Sequence, residues 1–164
     1  MSCIASYYIL PETKRPEFAE ARRTEKTVTT KRTFFGTKQV VTGERYLWEY
    51  LNDVAKPLEL PFSGFMLVAY LFTFLELPEA LRQAAKASSL DKHYLAYSAE
   101  LAAELANHLE AHPPSTAALE EFAEEENAPS PAEYVEALRE THAIVVDWFR
   151  RTQPGSFGVL HLSF

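Results

Sequence analysis

Cysteine is nearly absent: Cys3 stands alone among 164 residues, so no disulfide can close within the chain. Stability must come from a buried apolar core, and a chain of this length can bury roughly 68–70% of its unfolded surface without a staple. Glycine is equally scarce. The five glycines are Gly36, Gly43, Gly64, Gly155 and Gly158. They are too dispersed for a phosphate loop or a dinucleotide fingerprint, both of which need close-set glycines to bring backbone N–H groups against a phosphate. Ser156, within Gly155-Ser156-Phe157-Gly158, lacks the spacing of a nucleophile elbow. No long hydrophobic run exists either. The longest uncharged stretch, Leu60–Leu75, is 16 residues and contains Pro61, short of the 18 or more apolar residues that span a bilayer. The start, Met1–Leu10, has no basic n-region, and Pro11 and charges follow at once; these features predict a soluble, cytoplasmic protein without a leader or a membrane contact.

An excess of positive charge is also missing. The chain carries 16 Lys+Arg against 23 Asp+Glu, a net charge of −7, which disfavours a nucleic-acid coat or an anionic-membrane binder. The two signs are separated. Residues 1–50 hold nine Lys/Arg against six Glu, and residues 51–164 hold seven against seventeen Asp/Glu, giving local balances of +3 and −10. What is plentiful is ordinary core material, with 47% hydrophobic and 13% aromatic residues, and the length predicts one domain over residues 1–164.

Ser2–Leu10, rich in Ile and Tyr and closed by Pro11, predicts a strand buried on both faces. Residues 14–25 are charged, with few apolar positions, and predict a solvated connector. From Lys26 to Val41, Thr, Val and Phe alternate with Lys and Arg around Gly36, which predicts a hairpin with a basic outer face. A helix from Thr42 or Gly43 to Ala55 follows from Leu47, Tyr50, Leu51 and Val54 and stops at Pro57. Ser63–Leu77 is apolar on all sides and predicts a central buried helix. Helices are further predicted over residues 79–87, 95–111, 115–126 and 131–152, the last opened by a capping box of Ser130, Pro131 and Glu133. Phe157–Phe164 predicts a terminal strand beside the first one. The expected fold is α+β: a small mixed sheet holding both terminal strands and the basic hairpin, packed against several helices with one buried at the centre.

Two groups of side chains carry potential chemistry. His108 and His112 lie four apart on one helix with Glu104 a turn earlier, so three metal-ligating types share a face and define a candidate divalent transition-metal site. The order His-Leu-Glu-Ala-His does not place the carboxylate where a metalloprotease needs its general base. A further ligand would have to come from His93, His142 or His161. The competing reading is a helix-end pair whose rings interact with the dipole and the last carbonyls. The second group is the basic hairpin. Lys31, Arg32, Phe34 and Lys38 form a candidate partner surface, with Phe34 and Phe35 available for packing or stacking, although exposed lysines on a strand also protect sheet edges from aggregation. Cys3 could act as a nucleophile only beside a cation or imidazole that lowers its pKa. His142 and His161 could each serve as a general base, yet no neighbour in sequence orients them. The Glu cluster at 120–126 reads as a solvated helix face.

Met1-Ser2-Cys3-Ile4-Ala5-Ser6-Tyr7-Tyr8 resembles the opening strand of the YfbM-like family of small bacterial proteins, usually Met-Gly-x-Ile. Tyr134 through Trp148-Phe149-Arg150-Arg151 to Val159-Leu160-His161-Leu162-Ser163 is similar to that family's last helix and closing strand. Tyr97-Ser98-Ala99-Glu100-Leu101 is similar to a segment in which its Ser-Pro-Glu helix follows a strand. About half the chain takes part. Ser2 replaces the usual Gly, Gly43–Trp48 only echoes the Asp-Lys-x-Trp element, and the basic hairpin has no counterpart. The resemblance implies an α+β fold and transfers no catalytic residue. Together these readings predict a non-catalytic bacterial protein of accessory or immunity-like character. It would have no resident cofactor and would act on a protein partner or as a homodimer. The alternative is a metal-dependent or His-assisted hydrolase using His108 and His112.

Overall fold

The computed structural model describes residues 3–34 and 36–163, the side chains of 72 and 73 excepted. Phe35, Phe164 and the side chain of Phe72, which the sequence reading placed in the hairpin, the last strand and the core, lie outside the described residues. The fold is α+β, as the sequence predicts. Its centre is a four-stranded antiparallel sheet in the order β4-β1-β6-β5, built from β1 (Ile4–Pro11), β4 (Leu58–Glu59), β5 (Tyr94–Ser98) and β6 (Ser156–Ser163). The two terminal strands pair along their whole length, from Ile4 opposite Ser163 to Pro11 opposite Ser156.

Alternation along these strands sends side chains to two different cores. Ala5, Tyr7, Leu160 and Leu162 face a helical layer formed by α3 (Phe65–Ala69), α5 (Ala99–Ala111), α6 (Thr116–Glu125) and α7 (Pro131–Arg151). Tyr8, Leu10, Phe157 and Val159 face the opposite way, onto α1 (Arg15–Arg23) and α2 (Leu47–Val54). A last helix, α4 (Glu79–Ala87), packs on α5. At the heart of the larger core the Tyr7 ring stacks on Trp148, with centroids 5.5 Å apart and planes 5° apart, and its hydroxyl bonds Thr152 Oγ1 at 2.8 Å. Gly158 makes room for that ring, since a Cβ there would stand 1.8 Å from the Tyr7 hydroxyl.

Several local expectations are corrected. The basic hairpin, β2 (Thr27–Thr33) with β3 (Gly36–Thr42), forms a separate two-stranded ribbon, and the main sheet is purely antiparallel rather than mixed. Its strands carry Thr, Lys and Arg with no continuous apolar face, so burying it in the sheet would strand those groups. Residues 63–77 do not form a central buried helix: α3 is five residues long and runs into a π-helical turn over Tyr70–Phe74. Leu67 and Tyr70 are buried there, whereas Phe65 is 40% exposed. The interior of the helical layer belongs to α5 and α7. Residues 14–25 are no connector, because α1 forms there and seats Phe18 against Phe157 at 5.5 Å. Phe18 docks the nine-residue helix, helped by half-buried Ala21 and by the Arg15 guanidinium 4.3 Å over the Phe157 ring, while its remaining positions are solvated. The predicted helix over 95–111 divides at Ser98, whose hydroxyl accepts from Leu101 N–H at 3.2 Å and starts α5 after strand β5. Helix α2 begins at Leu47, four or five residues late, because Gly43 takes a φ of +85° at the hairpin root. Pro131 opens α7 as expected, but Ser130 makes no side-chain cap.

Candidate functional site

The candidate metal ligands sit at the carboxyl end of α5. The His108 and His112 rings stack with centroids 4.4 Å apart. His108 Nε2 donates to the Glu76 carbonyl at 2.7 Å, and His112 Nδ1 donates to the His108 carbonyl at 2.9 Å. One nitrogen of each ring is thus already occupied by backbone, the arrangement of a helix-end pair. Glu104 is exposed and makes no hydrogen bond or ion pair with either ring among the described residues. The other histidines lie elsewhere: His93 Nδ1 bonds the Leu162 carbonyl at 3.0 Å, His142 Nδ1 bonds the Tyr70 hydroxyl at 2.7 Å, and His161 stacks on Tyr94 at 4.6 Å. Among the described residues no group of three His, Cys, Asp or Glu side chains is placed to hold a metal ion. His112 instead lines a groove of about 480 Å³ with Phe74, Glu76, Glu121, Phe122 and Glu125.

The hairpin is an arm with a fixed root. Lys26 N–H donates to the Arg45 carbonyl at 2.7 Å, Glu44 N–H to the Thr24 carbonyl at 3.2 Å, and the Lys26 ammonium lies over the Tyr46 ring at 5.1 Å. A side chain on Gly43 would meet the Glu25 carbonyl at 2.2 Å, so this tight crossing requires glycine. Beyond the root the described residues of both strands are exposed, Val40 alone being half-buried. Lys31 stands directly opposite Lys38, and Phe34, at the tip, is 97% exposed. Two like charges on facing residues of one ribbon repel.

A third location is absent from the sequence reading. The β1 and β6 strands are eight residues long, about 27 Å, whereas α2 has eight residues and covers only about 12 Å. The end of the sheet beyond α2 therefore stays open and forms a cleft of about 210 Å³. It is lined by Ser6 and Tyr8 from β1, Trp48 and Asn52 from α2, Glu59 from β4, and His161 from β6, with Ile4 and Ser163 at its edge. The Tyr8 hydroxyl donates to Asn52 Oδ1 at 2.9 Å, and Ser6 Oγ reaches Glu59 Oε1 at a long 3.4 Å. Burial raises the Tyr8 phenol, a hydrogen bond with Ser6 opposes the rise and the Glu59 charge adds to it. Burial, with a smaller contribution from His93 and against the pull of Asp91, pushes His161 down to about 4, so its imidazole is neutral at pH 7. Among the described residues no lysine or arginine lines this cleft. The signal that could have revealed it is a gradient along one strand face: Phe157 and Val159 give way to His161 and Ser163, and Leu10 and Tyr8 to Ser6. Only the antiparallel pairing of the termini puts both polar ends together.

Compared with family models, curated proteins and solved structures, the chain matches none. No helix among the described residues is long and apolar enough to cross a membrane.

Proposed function

We propose that this protein works by binding rather than by catalysis, and that the arm β2–β3 reaches a protein partner with an acidic surface, either another protein or a second copy of the chain. The observation that carries this reading is the facing pair Lys31 and Lys38 on a ribbon exposed along its length. Free in water, such a ribbon gains little from burial and loses energy to like-charge repulsion. A carboxylate seated between the two ammonium groups turns that repulsion into attraction, and the open edges of both strands offer backbone pairing. A second copy supplies the complementary sign, because Glu120, Glu121, Glu124 and Glu125 lie exposed on α6. The separated basic and acidic regions support an accessory or immunity-like role, the resemblance of the termini to YfbM-like proteins supports a bacterial origin, and the single buried thiol of Cys3 is compatible with a reducing cytoplasm.

Light scattering and chemical cross-linking of the full chain across a salt series test the reading. Association that weakens with salt and disappears in the K31E/K38E double variant, with cross-links from the arm, is expected if a second copy is the partner. For another protein, an affinity-purified complex must lose its partner in the same variant. A chain that stays monomeric at every salt concentration and retains no partner overturns the proposal. A mobility shift with nucleic acid that fades steeply with salt would reassign the arm.

A further inference from the structure

We propose that the open end of the sheet is a binding site for a small ligand bearing a protonated amine, held between the Glu59 carboxylate and the face of Trp48. This site is separate from the arm and does not depend on the role given to it. Four observations converge. First, among the described residues the only charged side chain lining the cleft is an acid, Glu59. Second, Glu59 has no cationic partner among the described residues, its single bond being the long one from Ser6. Third, Trp48 is 41% exposed and lines the same cleft, with its indole stacked on Tyr46 at 6.2 Å, and a cation is drawn to the face of an indole more strongly than to other rings.

The fourth observation concerns His161. Its ring is half-buried on Tyr94, lines the cleft, and bonds no described group through either nitrogen. A neutral imidazole always presents one lone pair. Half-buried and without a protein partner among the described residues, that lone pair is open to a donor supplied by a ligand in the cleft. An ammonium group has three N–H donors and no acceptor. Glu59, the unprotonated nitrogen of His161 and the Ser163 hydroxyl all line the cleft as acceptors for such a group, and the carbon next to the amine can rest on Trp48. Asn52 has its Oδ1 occupied by Tyr8, so its amide N–H groups remain to bond a polar atom further along the ligand. An anion fits poorly, because it would meet Glu59 with no cationic side chain among the described residues of the cleft to balance it. A cavity of about 210 Å³ admits a molecule the size of an amino acid rather than a nucleotide.

The test is a titration of the intact chain with n-pentylamine, followed through the Trp48 indole and His161 ring signals by NMR, with n-pentanol as the neutral control of equal shape. The expected result is a saturable shift of both signals with the amine and none with the alcohol. E59Q should weaken the amine at least about tenfold, since a charge-assisted bond becomes a neutral one, and W48F should weaken it less, about two- to fivefold. Unchanged thermal melts of both variants separate lost binding from lost folding. The inference is overturned if pentylamine gives no saturable shift up to about 20 mM. It is equally overturned if the alcohol acts as the amine does, or if E59Q binds as tightly as the native chain.

Discussion

Replacing Gly158 with alanine places one methyl group in the most tightly organised part of the molecule. The new Cβ would lie 1.8 Å from the Tyr7 hydroxyl oxygen and 2.3 Å from Cζ, far inside contact distance. Tyr7 has nowhere to go. Its ring is 1% exposed, lies flat on Trp148, meets the edge of Phe149 at 6.0 Å, and ends in the 2.8 Å bond to Thr152, which in turn donates to the Trp148 carbonyl at 3.2 Å. Relief requires either parting β1 from β6 or expelling the ring tip. Overpacking costs about 1–3 kcal/mol, and breaking a buried hydroxyl pair about 1–3 kcal/mol more. A loss of roughly 2–6 kcal/mol lowers Tm by roughly 4–24 °C for a domain of this size. Thermal and urea melts followed by near-ultraviolet circular dichroism read this directly through the Tyr7–Trp148 stack. The decisive control is a double-mutant cycle with Tyr7→Leu, which removes the obstructing ring tip. In that background Gly158→Ala should cost about 1 kcal/mol or less. A native-like Tm for G158A alone, or strictly additive losses in the cycle, would refute the steric account.

Other consequences are equally accessible. Gly43→Ala, forced against the Glu25 carbonyl at a φ of +85°, should release the root of the arm: amide exchange in β2–β3 should speed up while that of β1 and β6 stays slow. His161 titrates near 4 in the fold against about 6.5 in an unfolded chain. The folded state thus favours the neutral ring, its contribution is complete above about pH 6.5 and is lost as pH falls toward 4. H161Q should flatten stability across that acid window and leave it unchanged above pH 7; an equal acid slope in both proteins would contradict the burial of His161. Tyr70→Phe removes the partner of His142 Nδ1 and should cost about 1 kcal/mol in urea melts. Elemental analysis should find no stoichiometric transition metal, and a chelator should leave Tm in place; a metal that is lost in H112A would establish instead the metal site on which the hydrolase alternative depends.

The amino-acid sequence by itself determined the elements that satisfy their own chemistry. Periodic leucines, Ser115 and Pro131 defined α5 to α7, and β-branched residues around Gly36 defined a hairpin, because a helix or a tight turn is a local compromise between propensity and capping. The paired termini were also legible, since both strands alternate toward two buried faces. Tertiary structure alone decided the rest. Phe18 turns a charged connector into a helix only because Phe157 waits for it, and the apolar run at 63–77 lies at the flank because α5 and α7 already fill the centre. The candidate histidines form no common metal site among the described residues, with His108 and His112 tied to carbonyls. The cleft depends on the difference in length between an eight-residue helix and an eight-residue strand, and on an antiparallel register that joins Ser6 to His161 across the chain's two ends. Neither the placement of one element over another nor a contact between residues so distant in sequence is encoded in any local pattern.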